Sequence, residues 1–155
     1  MPVASPEVTI YADGAASPNP GPGGYGVVVI RNGHRLELSG GFRKTTNNRM
    51  EIIGAVVGLK ALGGEKAAVA IYSDSRYVAD MFNGGYADAW RRNGWRRNKG
   101  RDPALNPDLW GELLDLAARH QIRFVWVRGH AADRENARCD ELAVTARQGG
   151  NLPAD

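Results

Sequence analysis

The chain alternates between two hydrophobic periods, and the switches mark its elements. Residues 7–15 carry VTIYA, a β-branched and aromatic run of strand character. Residues 16–22 are dense in Pro, Asn, Gly and Ser, which predicts a turn. Residues 24–31, GYGVVVIR, predict a second strand, and Asn32-Gly33 is a strong hairpin signal. Residues 35–42 alternate and predict a third strand, completing an antiparallel meander. The period then changes. Met50, Ile53, Val57 and Ala61 recur at helical spacing, which predicts a helix over 49–62 behind the capping candidates Thr45 to Asn48. Gly54 and Gly58 weaken this helix by about 1 kcal/mol each relative to alanine, a cost that close packing against a sheet would explain.

Residues 67–73, AAVAIYS, are almost continuously apolar, as in a strand buried on both faces. A short helix is expected over 74–82 and a longer one over 107–120, with Asn106 as its cap and Pro107 at its first position. Residues 122–127 predict a last strand and 134–147 a last helix, leaving 149–155 as a fraying tail behind a single domain of residues 1–148. The order is β-β-β-α-β-α-(α)-α-β-α. If the first strand runs up, the fourth and fifth also run up, because helical returns separate them. The expected architecture is α/β: a five-stranded mixed sheet, three strands antiparallel and two parallel, with helices on both faces.

This topology selects four acids. Asp13 closes the first strand, Glu51 lies in the first turn of the first helix, and Asp74 ends the fourth strand. These three meet at one end of the sheet, and Asp140 joins them if the last helix packs back across it. Several carboxylates in one pocket repel unless a cation neutralises them. Hard oxygen donors favour Mg²⁺ or Mn²⁺, and two such ions roughly 3.5–4 Å apart serve phosphodiester chemistry. Taken singly, each acid also has a plain reading as a solvated strand end, a helix-dipole acid, a cap or an exposed helix face.

Composition narrows the setting. With 43% hydrophobic and 24% charged residues the chain is an ordinary globular protein, long enough at 155 residues for a real core. Its single cysteine, Cys139, excludes an internal disulfide and suits a reducing, cytoplasmic compartment. No apolar run approaches the ~18 residues of a membrane span, and the first residues show no export signal. Net charge is only +3, but six of the twenty Lys and Arg residues fall between Arg91 and Arg101 with no acid among them. A local basic block on a nearly neutral body suggests a polyanionic partner.

The segment GPGGYG, residues 21–26, matches G-x-G-x-x-G. A dinucleotide turn must open a helix, whereas VVVIR follows here and predicts a strand. The glycines are therefore expected to tighten the hairpin between the first two strands and to leave open space beside Asp13.

Asp13-Gly14, NPGPGGYG, TTNNRME, SDSRYV, a Trp-rich basic segment ending in DLW, WVRGHA and ENARCDELA follow one another in order. Together they resemble the bacterial type 1 ribonuclease H family, over about residues 7–145. The resemblance implies cleavage of the RNA strand of RNA–DNA hybrids with Mg²⁺ or Mn²⁺, leaving 5′-phosphate and 3′-hydroxyl ends, by a monomer with two ions in its site. It implies that Asp13, Glu51, Asp74 and Asp140 bind metal and that His130 assists proton transfer or product release. Asn19, Asn47 and Arg76 would face the hybrid near its minor groove. Lys44, Thr46 and Asn106 would grip a DNA-strand phosphate. Trp90, Arg91, Arg92, Trp95 and Arg96 would belong to a basic protrusion, although core packing is the alternative for the tryptophans. The chain departs from the family pattern at Arg76, where glutamine is common, at Ala132-Asp133-Arg134 after His130, and in using arginines for lysines in the protrusion. A hybrid-binding protein without catalysis and a DNA junction resolvase on the same sheet remain the alternatives, and fold likeness alone would not separate them.

Overall fold

The computed structural model describes residues 7–128 and 134–155. Strands β1 (Val8–Ala16), β2 (Gly21–Arg31) and β3 (His34–Thr45) form the meander. Helix α1 (Asn47–Lys60) leads to β4 (Ala68–Ser73), followed by α2 (Arg76–Asn83) and α3 (Tyr86–Arg92). Two very short strands, β5 (Arg96–Arg97) and β6 (Asp102–Pro103), precede α4 (Pro107–Ala117), β7 (Gln121–Trp126) and α5 (Arg134–Arg147). The main sheet has the order β3-β2-β1-β4-β7. β1 pairs antiparallel with β2 and parallel with β4, and β4 pairs parallel with β7, as the direction of travel requires.

Alternation along the strands assigns the two faces. Val27 lies under α1, where Ile10 and Val27 crowd the position of a side chain on Gly58, so Gly58 allows the close helix–sheet packing expected of it. The neighbouring residues Gly24 and Gly26 point to the other face and meet the backbone of α5. Helix α1 is buried on nearly all sides, because α4 covers the flank that the sheet does not. The core runs through Val8, Ile10, Val27, Met50, Leu59, Ile71, Trp110 and Leu113. Each large aliphatic side chain buried in this way contributes about 1.5–3 kcal/mol.

Several boundaries differ from the sequence reading. β2 begins at Gly21, so GPGGYG lies inside a strand and the turn is confined to residues 17–20. A helix beginning at Asn47, capped by Thr46 Oγ1 accepting from the Arg49 N–H at 3.2 Å, puts Glu51 in the second turn rather than the first. Asp74 is not a cap, since Ser75 takes that place on α2. Asn106 stands at the start of α4 with φ 57° but makes no side-chain capping bond. The basic block, read without strands, closes into the β5–β6 hairpin. The last residues, expected to fray, fold against β3: the Arg43 N–H donates to the Pro153 carbonyl at 2.9 Å, and Thr45 Oγ1 to the Asp155 carboxylate at 2.6 Å.

Candidate active site

The parallel pairing of β1 and β4 ends at Ala12 and Ser73, so the next residues stand side by side: Asp74 just past the end of β4, and Asp13 still within β1, which runs on to Ala16 rather than closing at Asp13. Glu51 reaches them from α1. Carboxylate oxygens of Asp13, Glu51 and Asp74 all lie within 4.8 Å of one another. Glu51 is only 9% exposed, while Asp13 and Asp74 are half-buried. Asp140, on α5, is exposed and does not enter this cluster, although its charge acts on Asp13.

The protein fixes these side chains with its own donors. The Gly14 N–H donates to Asp13 Oδ1 at 2.8 Å. Ser73 Oγ donates to Glu51 Oε2 at 3.4 Å and accepts from the Ser75 N–H at 3.1 Å. Trp126 Nε1 donates to the Asp74 carbonyl at 3.1 Å, and the Arg76 guanidinium sits 5.5 Å from the centre of the same ring. Burial, then the Asp74 charge, pushes the Asp13 carboxyl up to about 7. Burial, then the charges of Asp13 and Asp74, holds Glu51 well above the usual carboxylate range. Asp13 and Glu51, held back from ionising by burial and by the neighbouring charges, are what a cation would relieve. All the donors are hard oxygens, which fits Mg²⁺ or Mn²⁺ better than zinc.

The glycine run has a different function from the one expected. Gly26 lies opposite Asp13 in the β1–β2 register. A side chain on Gly26 would collide with the Cys139 carbonyl, and one on Gly24 with the Ala143 carbonyl. The space beside Asp13 is thus filled by α5, and the glycines bring the helix that carries Asp140 down onto the sheet. Cys139 is fully buried beneath it, its thiol pushed up to about 12 by burial and donating to the Tyr11 carbonyl at 3.3 Å.

The residues assigned to substrate fall in four places. Asn19, Thr46, Asn47 and Asn106 line one cavity of about 480 Å³ beside the start of α1. Lys44 is exposed on β3 and does not line that cavity. Arg76 is exposed beside the carboxylates, stacked on Trp126, which is itself 42% exposed. In the basic segment Trp90 and Trp95 are partly buried against the core, and Trp90 meets the buried Trp110 edge-on at 6.1 Å. These indoles anchor the protrusion. Arg91 pairs with Asp115 at 2.6 Å and Arg92 with Asp88 at 3.2 Å. The Arg96 guanidinium donates to the carbonyls of Gly100 and Arg101 at 3.0–3.2 Å, closing the hairpin. Lys99 and Arg101 at the hairpin tip make no ion pair among the described residues. His130, Ala132 and Asp133 lie outside the described residues.

Sequence reasoning missed Ser73, Arg49 and Trp126. All three sit inside the motifs SDSRYV, TTNNRME and WVRGHA, and no hydrophobic period sets them apart from their neighbours.

The chain is similar to known proteins over nearly its whole length. The RNase H family model matches residues 5–148. A ribonuclease H of Desulforamulus reducens is 58% identical over 149 residues, covering 96% of this chain and 92% of its own. A ribonuclease HI of Synechocystis is 53% identical, covering 91% of this chain and 88% of its own. Among solved structures, LC9-RNase H1, described as a type 1 RNase H with the type 2 active-site motif, superposes with a TM-score of 0.78 at 32% identity, over 95% of this chain and 74% of that one. LC11-RNase H1, solved in complex with an RNA/DNA hybrid, superposes with a TM-score of 0.68 at 27% identity, over 90% of this chain and 95% of that one. The chain belongs to the ribonuclease H family, metal-dependent endonucleases acting on the RNA of RNA–DNA hybrids.

Proposed function

We propose that Asp13, Glu51 and Asp74, with Asp140 beside them, form the centre at which this chain hydrolyses the RNA strand of RNA–DNA hybrids, leaving 5′-phosphate and 3′-hydroxyl ends. The observation that carries this reading is the trio of carboxylates within 4.8 Å of one another at the sheet end of a chain of this family. The trio would hold Mg²⁺, with Mn²⁺ as a substitute and two ions present when substrate is bound. Such ions supply charge neutralisation at the phosphodiester and an acidified water. The protein's part is to keep the carboxylates converged. Gly14, Ser73 and Ser75 fix the orientation of Asp13 and Glu51, while α5 closes one side of the pocket with Asp140. His130 is assigned to proton transfer or product release through the family resemblance.

The hybrid is placed across the face that carries Asn19, Thr46, Asn47 and Asn106 on one side and Arg76 on the other, with Lys44 at the edge. A 2′-hydroxyl is what lets a protein tell RNA from DNA there. The protrusion of Trp90, Arg91, Arg92, Trp95 and Arg96 would supply sequence-independent attraction to phosphates. One chain provides the whole site, which accords with a monomer, and a reducing cytoplasm accords with the buried free thiol of Cys139. The test is hydrolysis of a hybrid labelled on either strand, beside matched duplex DNA and duplex RNA, with and without Mg²⁺. Cutting of the RNA strand in the hybrid alone, and only with the ion, is expected. Equal cutting of all three substrates, or of none, overturns the reading.

A further inference from the structure

The cavity beside the start of α1 has an uncommon polarity. Of the four carboxamides that line it, those of Asn19, Asn47 and Asn106 have their oxygens committed to protein N–H groups, and that of Asn48 completes the lining. Asn47 Oδ1 accepts from the Ala16 N–H at 2.7 Å. Asn19 Oδ1 accepts from the Asn47 N–H at 3.1 Å. Asn106 Oδ1 accepts from Arg49 Nη1 at 3.2 Å. A backbone N–H and a guanidinium only donate, so each amide must turn its oxygen to them and keep its NH₂ for another partner. Thr46 Oγ1 likewise accepts, from the Arg49 N–H at 3.2 Å, which leaves its hydroxyl hydrogen to donate. These three amides and the Thr46 hydroxyl therefore offer donors to the cavity, suited to phosphate or ribose oxygens.

Arg49 stands behind this set. Nε donates to Asp155 Oδ2 at 2.6 Å. Nη1 donates to Asp108 Oδ1 at 3.1 Å as well as to Asn106. Nη2 donates to Asp108 Oδ2 at 2.8 Å and Asp155 Oδ1 at 3.1 Å. These bonds use all five N–H groups of the guanidinium, and the two carboxylates more than cancel its charge. Arg49 thus has no donor left for a phosphate. Asn106 has what Arg49 lacks: a left-handed backbone with φ 57° at the start of α4, no capping bond and an unengaged NH₂. Without Arg49, the first-turn N–H groups of α4 would compete for Asn106 Oδ1, as at an ordinary helix cap.

We propose that Arg49 is a positioning residue for substrate binding: clamped by Asp108 and Asp155, it holds Asn106 Oδ1 so that the Asn106 NH₂ faces the cavity and donates to a backbone oxygen of the bound hybrid. This rests on the reading of that cavity as a hybrid contact. Arg49 acts through Asn106 and carries no phosphate itself.

The test is steady-state cleavage of an RNA–DNA hybrid in Mg²⁺ by the full chain, its Arg49→Met and Asn106→Ala variants, and the double variant. Each single change is expected to raise KM about five- to tenfold with kcat within about twofold, the loss of one oriented hydrogen bond. The double variant is expected to match Asn106→Ala alone, because the two residues make one contact. Multiplying losses in the double variant, an unchanged KM in Arg49→Met, or an effect on kcat alone overturns the proposal. An unchanged KM in Asn106→Ala overturns the reading of the cavity itself, and the proposal with it. If Arg49→Met does not fold, Arg49→Lys decides. It keeps a charge between the two carboxylates but lacks the planar fork that also reaches Asn106. A raised KM supports the proposal and a normal KM overturns it.

Discussion

Gly26 lies directly opposite Asp13 across the β1–β2 ladder, and the Cys139 carbonyl fills the place where its side chain would be. Cys139 precedes Asp140, so the missing side chain on one strand sets how near the fourth acid comes to the first. Gly26→Ala should push α5 off the sheet, destabilise the protein by about 1–3 kcal/mol and lower cleavage by more than that loss of folded protein explains. Gly64→Ala meets open space at an ordinary φ and should change neither property. Thermal unfolding and hybrid cleavage of both variants check this, and equal behaviour of the two would contradict it.

Removing a carboxylate should abolish turnover and at the same time stabilise the metal-free fold. Asp13→Asn or Asp74→Asn takes one charge from a half-buried cluster whose members oppose one another. Unfolding in the presence of a chelator near pH 8 should occur at a higher temperature in these variants than in the parent chain, while hybrid cleavage in Mg²⁺ falls to background.

The same cluster gives a pH dependence of defined sign. The Asp13 carboxyl, pushed up to about 7 by burial and Asp74, binds its proton more tightly in the folded state than in the unfolded one. Its stabilising contribution is full below the ordinary carboxylate range and is lost as pH rises from about 4 to 7. Glu51 adds in the same direction. The salt-bridged Glu37, lowered to about 2 mainly by Arg138 and then Arg35, acts oppositely, its contribution being lost as pH falls from its ordinary range toward 2. Urea titrations of the metal-free chain between pH 5 and 8 should therefore show falling stability, and Mg²⁺ should restore more at pH 8 than at pH 5.

How much of this was legible in the sequence depends on the kind of signal. Asp13, Glu51 and Asp74 could be placed together because strand direction follows from element order, and element order follows from hydrophobic period. The glycines could not be read the same way. A residue without a side chain signals a turn in any pattern, whereas the close approach of α5 to Gly24 and Gly26 is a contact between elements more than a hundred positions apart. Arg49 was legible as a helix-start residue but not as a hub, because Asp108 and Asp155 reach it with long-range polar bonds that follow no period. Asp140 was placed near the site only conditionally, and it remains outside the trio.

The basic protrusion separates two roles within one charge run. Arg96 holds the hairpin together, so Arg96→Ala should loosen the protrusion, seen as faster proteolysis there. Lys99 makes no ion pair among the described residues and lies at the tip. Lys99→Ala should leave the fold unchanged and reduce the slope of log binding against log salt by about one unit, the signature of one lost phosphate contact.

Cys139 should behave as an inert core residue. With its thiol pushed up to about 12 and no exposed surface, it should stay unmodified by a thiol reagent at pH 8 until the chain unfolds. Labelling in native buffer and in denaturant gives the comparison.

Cleavage of RNA within a hybrid should depend on the Asp13–Glu51–Asp74 trio. The decisive measurement is single-turnover cleavage with excess enzyme, using a hybrid labelled on the RNA strand, compared between the parent chain and Asp13→Asn in Mg²⁺. Loss of cleavage with retained hybrid binding is predicted. Cleavage by Asp13→Asn at the parental rate would contradict it.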